Sequence, residues 1–357
     1  MLQTPFYDPK ISYEDNYDQG PFGAFLSEEY KNQGEPKYNF LGQKVYLPFG
    51  IPAGPLINSN FCKGAFRNGF DIAVYKTVRS DSFPCHPFPN VLSVELDGDL
   101  TLERSQKPLI ANSSYKEPLS ITNSFGVPSK APAVWQADVK KAISYEELGQ
   151  VLVLSFMGTV KENQTVQEFV EDYVLAAKQS LKTGAKILET NLSCPNIGNE
   201  GLVCYNLEVT EKVAREIRKA IGKTPLILKV GYYKDTSQLK KMAEIAEKYA
   251  DAVSLINTIQ AEVRDENGDQ ALPGKTRLRS GVCGSGIKWA GLDMVKKLKK
   301  VRDDMDAKFK IIGVGGVMKS EDYFAYRKAG ADCVMSATGA MWNPYLAKEI
   351  KENLKKR

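Results

Sequence analysis

A single histidine, His86, stands among 357 residues. That scarcity excludes a metal site built on paired histidines and makes a Ser-His-Asp triad depend on one residue. His86 lies in Phe-Pro-Cys-His-Pro-Phe-Pro, a proline-rich loop where its simplest role is packing. The six cysteines, Cys62, Cys85, Cys194, Cys204, Cys283 and Cys333, include no C-x-x-C pair. This argues against an in-chain iron–sulfur or zinc centre and against a disulfide framework. Reduced thiols in a cytoplasmic protein, with no bound metal, are the expectation. No apolar stretch approaches the ~20 residues that span a bilayer, and Met1-Leu2-Gln3-Thr4-Pro5 lacks the basic-then-apolar order of a leader, so no membrane partner is expected. The net charge is only +5, spread over lysines with a small cluster at Lys355-Lys356-Arg357. Without a basic stripe it reads as solvated surface, and no nucleic-acid partner is expected. Acid–base chemistry is left to cysteine, lysine, a carboxylate or a cofactor.

What is present is a repeated pattern. Short apolar runs occur at 49–53, 72–78, 151–156, 186–191, 225–230, 252–257, 310–314 and 333–337, nearly all followed at once by Gly, Asn, Ser or Thr. Helically spaced stretches lie between them, at 165–183, 207–221, 237–249, 292–305 and 320–329. Gly184, Gly222 and Gly330 stand where helix-ending glycines belong. Eight continuously apolar strands alternating with helices predict a single α/β domain, a (β/α)8 barrel, with a doubly wound sheet as the alternative. Residues 1–37 read as an irregular N-terminal extension and 38–357 as the catalytic barrel, opening with a short hairpin over 38–47. The region 80–134 is too long for one crossover and holds β-like pieces at 90–95 and 119–123, so an antiparallel insertion near the barrel mouth is predicted. The polar, glycine-rich stretch 258–286 reads as a flap.

The most informative segment is Ile187-Leu-Glu-Thr-Asn-Leu-Ser-Cys-Pro-Asn-Ile197. An apolar strand ends in a thiol, Cys194, flanked by the amides of Asn191 and Asn196. The amides can bind a ligand's donors and acceptors, and the thiol can move a proton. A strand-to-loop junction with a buried cysteine is the competing reading. In a barrel, chemistry sits where strands end. Those ends carry Ala53-Gly54, Lys76-Thr77, Asn191, Lys229, Asn257-Thr258, Gly315-Gly316 and Ala337-Thr338, and the insertion adds Thr122-Asn123-Ser124-Phe125-Gly126. Small residues at the last two strand ends can present backbone N–H groups to a phosphate, or can simply make tight turns. Lysines buried among amides would carry uncompensated charge. Together these point to a phosphate-bearing cofactor across the mouth and a polar planar substrate near Cys194.

In order and on the expected strands, Asn191-Leu-Ser-Cys-Pro-Asn196, Thr122-Asn-Ser-Phe-Gly-Val-Pro-Ser129, Tyr75-Lys-Thr77, Leu228-Lys-Val230, Ile256-Asn-Thr258 and Ile311-Ile-Gly-Val-Gly-Gly-Val317 resemble the class 1, FMN-containing dihydroorotate dehydrogenases. The resemblance spans about residues 38–350. It implies oxidation of dihydroorotate to orotate in pyrimidine biosynthesis. FMN would lie across Ala53, Gly54, Lys76, Thr77, Asn123 and Asn191. Its phosphate would sit on Gly315, Gly316, Ala337 and Thr338, with Cys283-Gly284 nearby. Lys229 would face the flavin where negative charge grows on reduction. Lys76 would lie between flavin and substrate. Asn123, Asn191, Asn196, Asn257 and Thr258 would hydrogen-bond the dihydropyrimidine ring, the backbone of Phe125, Gly126 and Val127 would hold its carboxylate, and Cys194 would remove the C5 proton. A homodimer, or a dimeric core of a larger complex, is implied as well.

The loop after Asn196 lacks the Pro-Gly-Lys-Pro of the fumarate-using subclass and looks closer to the subclass that passes electrons to NAD through an iron–sulfur flavoprotein subunit, whereas Asn123-Ser-Phe-Gly resembles the former. The acceptor therefore stays open between the two. A family Gly-Thr appears as Ala337-Thr338, and Asn90 stands where an arginine often follows. The quinone-using class carries serine at the position of Cys194. Dihydropyrimidine dehydrogenases share Asn-Leu-Ser-Cys-Pro but place histidine where Asn196 stands. The tRNA dihydrouridine synthases, the other rival, need an RNA-binding helical domain for which little chain remains.

Overall fold

The structure, a computed structural model, describes residues 2–27, 29–193, 202–275 and 277–356. Eight parallel strands close into a barrel: β1 (Phe49–Ile51), β2 (Ile72–Val78), β3 (Val151–Phe156), β4 (Ile187–Asn191), β5 (Leu226–Lys229), β6 (Ala252–Leu255), β7 (Lys310–Val314) and β8 (Cys333–Met335). Each pairs with its sequence neighbour, and β8 returns to β1. All eight predicted runs are barrel strands. They are legible because nearly every position is buried, from inside the barrel or under the helices outside it.

Side chains alternate along each strand. Ile72, Val74, Val151, Val153, Ile187, Ile227, Ala252, Ile312, Cys333 and Met335 fill the lower barrel as one apolar cluster. Phe40 and Val45 of the predicted hairpin, Tyr38–Phe40 paired with Gln43–Val45, join that cluster and plug its floor. Two residues further along the strands the inward positions become polar: Ser155, Glu189, Lys229 and Ser254, all buried. This layer separates the apolar interior from the mouth.

A smaller closed sheet covers the mouth. The insertion contributes Val91–Val94, Leu109–Asn112 and Ser120–Asn123. The stretch read as a flap contributes two more strands, Ile259–Arg264 and Arg279–Gly284, in the order 259–264, 279–284, 120–123, 91–94, 109–112. The flap expectation is therefore corrected. This hairpin is solvent-facing on one side, so exposed Gln260 and partly exposed Glu262 and Arg264 alternate with buried Ala261 and Val263, and polar composition conceals strands of that kind.

The N-terminal extension also departs from the expectation of an irregular surface wrap. It holds two short helices, Tyr13–Gln19 and Ala24–Ser27, and its Phe6, Tyr7, Tyr13 and Phe25 are core residues, each no more than 5% exposed. Phe6 stacks on Phe25 with ring centroids 4.0 Å apart. The last helix, Leu346–Lys355, buries Lys351 against Asp71 at 2.8 Å, with further bonds from its ammonium to Gly69 O and Asn32 Oδ1. Among the described residues no helix is long and apolar enough to cross a membrane.

Candidate active site

The polar strand tips open into a cavity of about 560 Å³ between barrel and cap. Of the residues singled out from sequence, Ala53, Gly54, Lys76, Thr77, Asn123, Phe125, Gly126, Val127, Asn191, Lys229, Asn257, Thr258, Cys283, Ala337 and Thr338 line it. Gly284 and Gly315 do not; they follow the lining residues Cys283 and Val314, and Gly316 comes next. All three take positive φ (94°, 120° and 67°), a conformation that favours glycine, and at Gly316 a Cβ would collide with the backbone of Lys288. Cys194 and Asn196 lie outside the described residues; Ser193, just before them, lines the cavity.

Two lysines dominate the electrostatics. Lys76 stands on an irregularity in β2, where three steps from Tyr75 to Val78 match two on β3, from Leu154 to Phe156. The extra residue breaks the alternation that would otherwise carry through this end of the strand, and Thr77 reaches Ser155 Oγ at 2.9 Å. Burial pushes the Lys76 ammonium down to about 8. Lys229, at the tip of β5, donates to the carbonyl of Ala53 at 3.0 Å and is also lowered by burial, against the opposing pull of Glu189. Neither lysine ion-pairs with a carboxylate among the described residues.

Glu189 is the residue that the sequence reading passed over. It is completely buried, and burial raises its carboxyl while Lys229 opposes the rise. The signal was available: a carboxylate inside an apolar strand, at an inward position by the two-residue period, is rarely there for packing.

The cap loop is held from behind. Arg79, directly after β2, donates from Nε to Val127 O at 2.9 Å and from Nη2 to Gly126 O at 2.9 Å. A planar fork on two successive carbonyls fixes that backbone, and a trans peptide then turns the Val127 N–H away from the guanidinium. Val127 is β-branched yet has φ 53°, a strained conformation sustained by these contacts. Gly126 (φ 75°) is required twice over, since the His86 imidazole stands where its Cβ would be. His86 thus packs the loop as expected and also lines the cavity, with Nδ1 3.2 Å from Ser124 Oγ. Arg277, almost fully buried, ties Pro87, Pro89, Pro273 and Ser124 together through their carbonyls.

The arrangement fits a phosphate-bearing planar cofactor. Lys76, a buried cation with no ion pair among the described residues, calls for an anion or an electron-rich ring, and Lys229 beside it has only the electrostatic support of Glu189. The floor beside Gly54 is open, with no atom near an added Cβ. Also lining the cavity, Cys283 Sγ receives Asn123 Nδ2 at 3.5 Å and Thr338 Oγ1 at 3.4 Å, joining the cap to the turn after β8.

Comparison with known proteins adds an independent line. The family model described as dihydroorotate dehydrogenase matches residues 105–357. A dihydroorotate dehydrogenase of Dictyostelium discoideum is 36% identical, with 99% of this chain and 98% of that protein covered. Catalytic subunits of the NAD(+)-type dihydroorotate dehydrogenase B are also similar. That of Thermodesulfovibrio yellowstonii is 30% identical over 68% of this chain and 74% of its own length. That of Staphylococcus carnosus is 32% identical over 52% and 58%.

Proposed function

The chain belongs to the dihydroorotate dehydrogenase family of flavin-dependent oxidoreductases, and from that premise we propose that it oxidises dihydroorotate to orotate at this cavity, with FMN as its flavin. The carrying observation is the pair of buried lysines, neither in an ion pair with the described residues, on an amide-lined cavity at the strand tips.

FMN would supply the acceptor for the hydride leaving C6. Ala53, Gly54, Thr77 and Cys283 would bound its ring, and Gly284, Gly315, Gly316, Ala337 and Thr338 its phosphate. Lys229 places a cation where negative charge accumulates during the reaction, the interaction that most lowers such a barrier. Lys76 and Asn123 divide the cofactor space from the substrate space. Asn123, Asn191, Asn196, Asn257 and Thr258 offer donors and acceptors to the dihydropyrimidine ring, and the Arg79-braced backbone at 125–127 takes the carboxylate. Cys194, as thiolate, takes the C5 proton; the electron pair of that C–H bond becomes the C5=C6 double bond as hydride departs from C6. The adjacent carbonyl acidifies C5, so a thiolate is a competent base.

The purified protein is expected to be yellow and to bleach anaerobically with dihydroorotate but not with dihydrouracil or NADPH. A colourless protein, or bleaching by dihydrouracil instead, overturns the reading. Reoxidation of the bleached enzyme by fumarate alone, against NAD+ with an iron–sulfur flavoprotein subunit, assigns the acceptor. Free thiols throughout the described residues accord with a cytoplasmic enzyme.

A further inference from the structure

One wall of the cavity comes from the far end of the chain. Tyr7, from the N-terminal extension, lines the cavity yet is only 2% exposed. Its ring meets the edge of Phe125, centroids 5.8 Å apart, and Phe61 at 6.4 Å. Phe125 opens the backbone segment expected to hold the substrate carboxylate, and Lys76 Nζ lies 5.2 Å from its ring centroid. The Tyr7 hydroxyl is buried and has no hydrogen-bond partner among the described residues. A buried hydroxyl left unpaired is unfavourable, and such groups in folded proteins nearly always meet a partner. Here the open space against which the residue packs is the ligand cavity.

The position is held firmly. Phe6 N donates to Met341 O at 3.3 Å, Phe22 N to Phe6 O at 2.9 Å, and Gln3 N to Trp342 O at 2.9 Å. Met341 itself lines the cavity. The stretch just before Tyr7 is thus fastened to Met341, which belongs to the site, and to its neighbour Trp342, rather than resting there by apolar contact alone.

We propose that Tyr7 is a substrate-binding residue, its hydroxyl donating a hydrogen bond to the carboxylate of the bound dihydropyrimidine beside the 125–127 backbone. This rests on the function proposed above. The N-terminal extension is then a working part of the site, and it selects ring ligands bearing an acidic substituent over those without one. A phenol is suited to the task, because burial holds it protonated as a donor.

The test uses the full-length FMN-loaded enzyme and Tyr7→Phe, which keeps the ring and deletes one oxygen. Orotate is titrated by its perturbation of the flavin absorbance, and dihydroorotate kinetics are followed by anaerobic bleaching. A lost hydrogen bond to a charged acceptor predicts an orotate Kd raised about tenfold or more, with KM rising more than kcat falls. Thermal melting gives a second readout independent of turnover. Without ligand the variant should melt at the wild-type temperature or above it, because the deleted hydroxyl had no partner. Added orotate should stabilise the variant less than wild type. An orotate Kd within about twofold of wild type overturns the assignment, as does an unchanged stabilisation by orotate. If wild-type enzyme is itself not bleached by dihydroorotate, the underlying function fails instead.

Discussion

Glu189 and Lys229 project into the barrel from neighbouring strands, two residues out of step: Asn191, not Glu189, lies opposite Lys229 in the β4–β5 register. Each opposes what burial does to the other's charge. Glu189→Gln removes that support, so the neutral form of Lys229 gains ground as pH rises. Relative to wild type at the same pH, turnover should fall about tenfold more at pH 8 than at pH 6.5. Glu189→Asp should recover part of the loss. Equal losses at both pH values would show that the carboxyl does not set the lysine's charge.

Lys76 titrates near pH 8 by virtue of its burial, and only its protonated form attracts an anion. Orotate affinity should therefore be level below pH 8 and weaken by up to about tenfold per unit above it. Flavin-absorbance titrations from pH 6.5 to 9.5 measure the slope. Lys76→Met should bind orotate more weakly at pH 7 and lose the slope altogether. A wild-type affinity flat across the range would contradict a lysine that titrates there.

Cys194 as the base makes two demands. Turnover should climb with pH as the thiolate fraction grows. Cys194→Ala should retain flavin yet be reduced by dihydroorotate orders of magnitude more slowly in stopped flow. Near-normal reduction of that variant would move the base elsewhere.

At the other end of the barrel, burial raises the Asp71 carboxyl to about 6, and Lys351 works against that rise. A folded-state value above the unfolded ~3.9 means that Asp71's contribution to stability is complete at acid pH and is lost as pH rises through 6. Lys351→Met should thus destabilise by about 3–5 kcal/mol at pH 7, where it strands a buried carboxylate, and by less at pH 5. Urea unfolding at the two pH values decides. The same loss at both would mean that packing, not charge, is what Lys351 supplies.

Barrel strands were readable because burial on both sides leaves a continuous apolar run, with chemistry at its end: Lys229 closes such a run and Asn191 another. Two things were not readable. The cap hairpin over 259–264 hides in alternation with polar residues. Tyr7 owes its place to partners more than a hundred residues away, Phe125 and the turn at Met341, and no local period encodes contacts of that range. Glu189 lies between these cases, since its inward position follows from strand parity but its relation to Lys229 needs the register of two strands.

Because Phe6 is anchored to Met341 and Gln3 to Trp342, these residues must wait for partners more than three hundred positions later in the chain. During translation the ribosome releases the N-terminal segment long before the helical turn Thr338–Trp342 exists to receive it. The wall bearing Tyr7 therefore closes only after residues 338–342 have emerged, and a stalled polypeptide ending short of that turn would have barrel strands but an unfinished pocket.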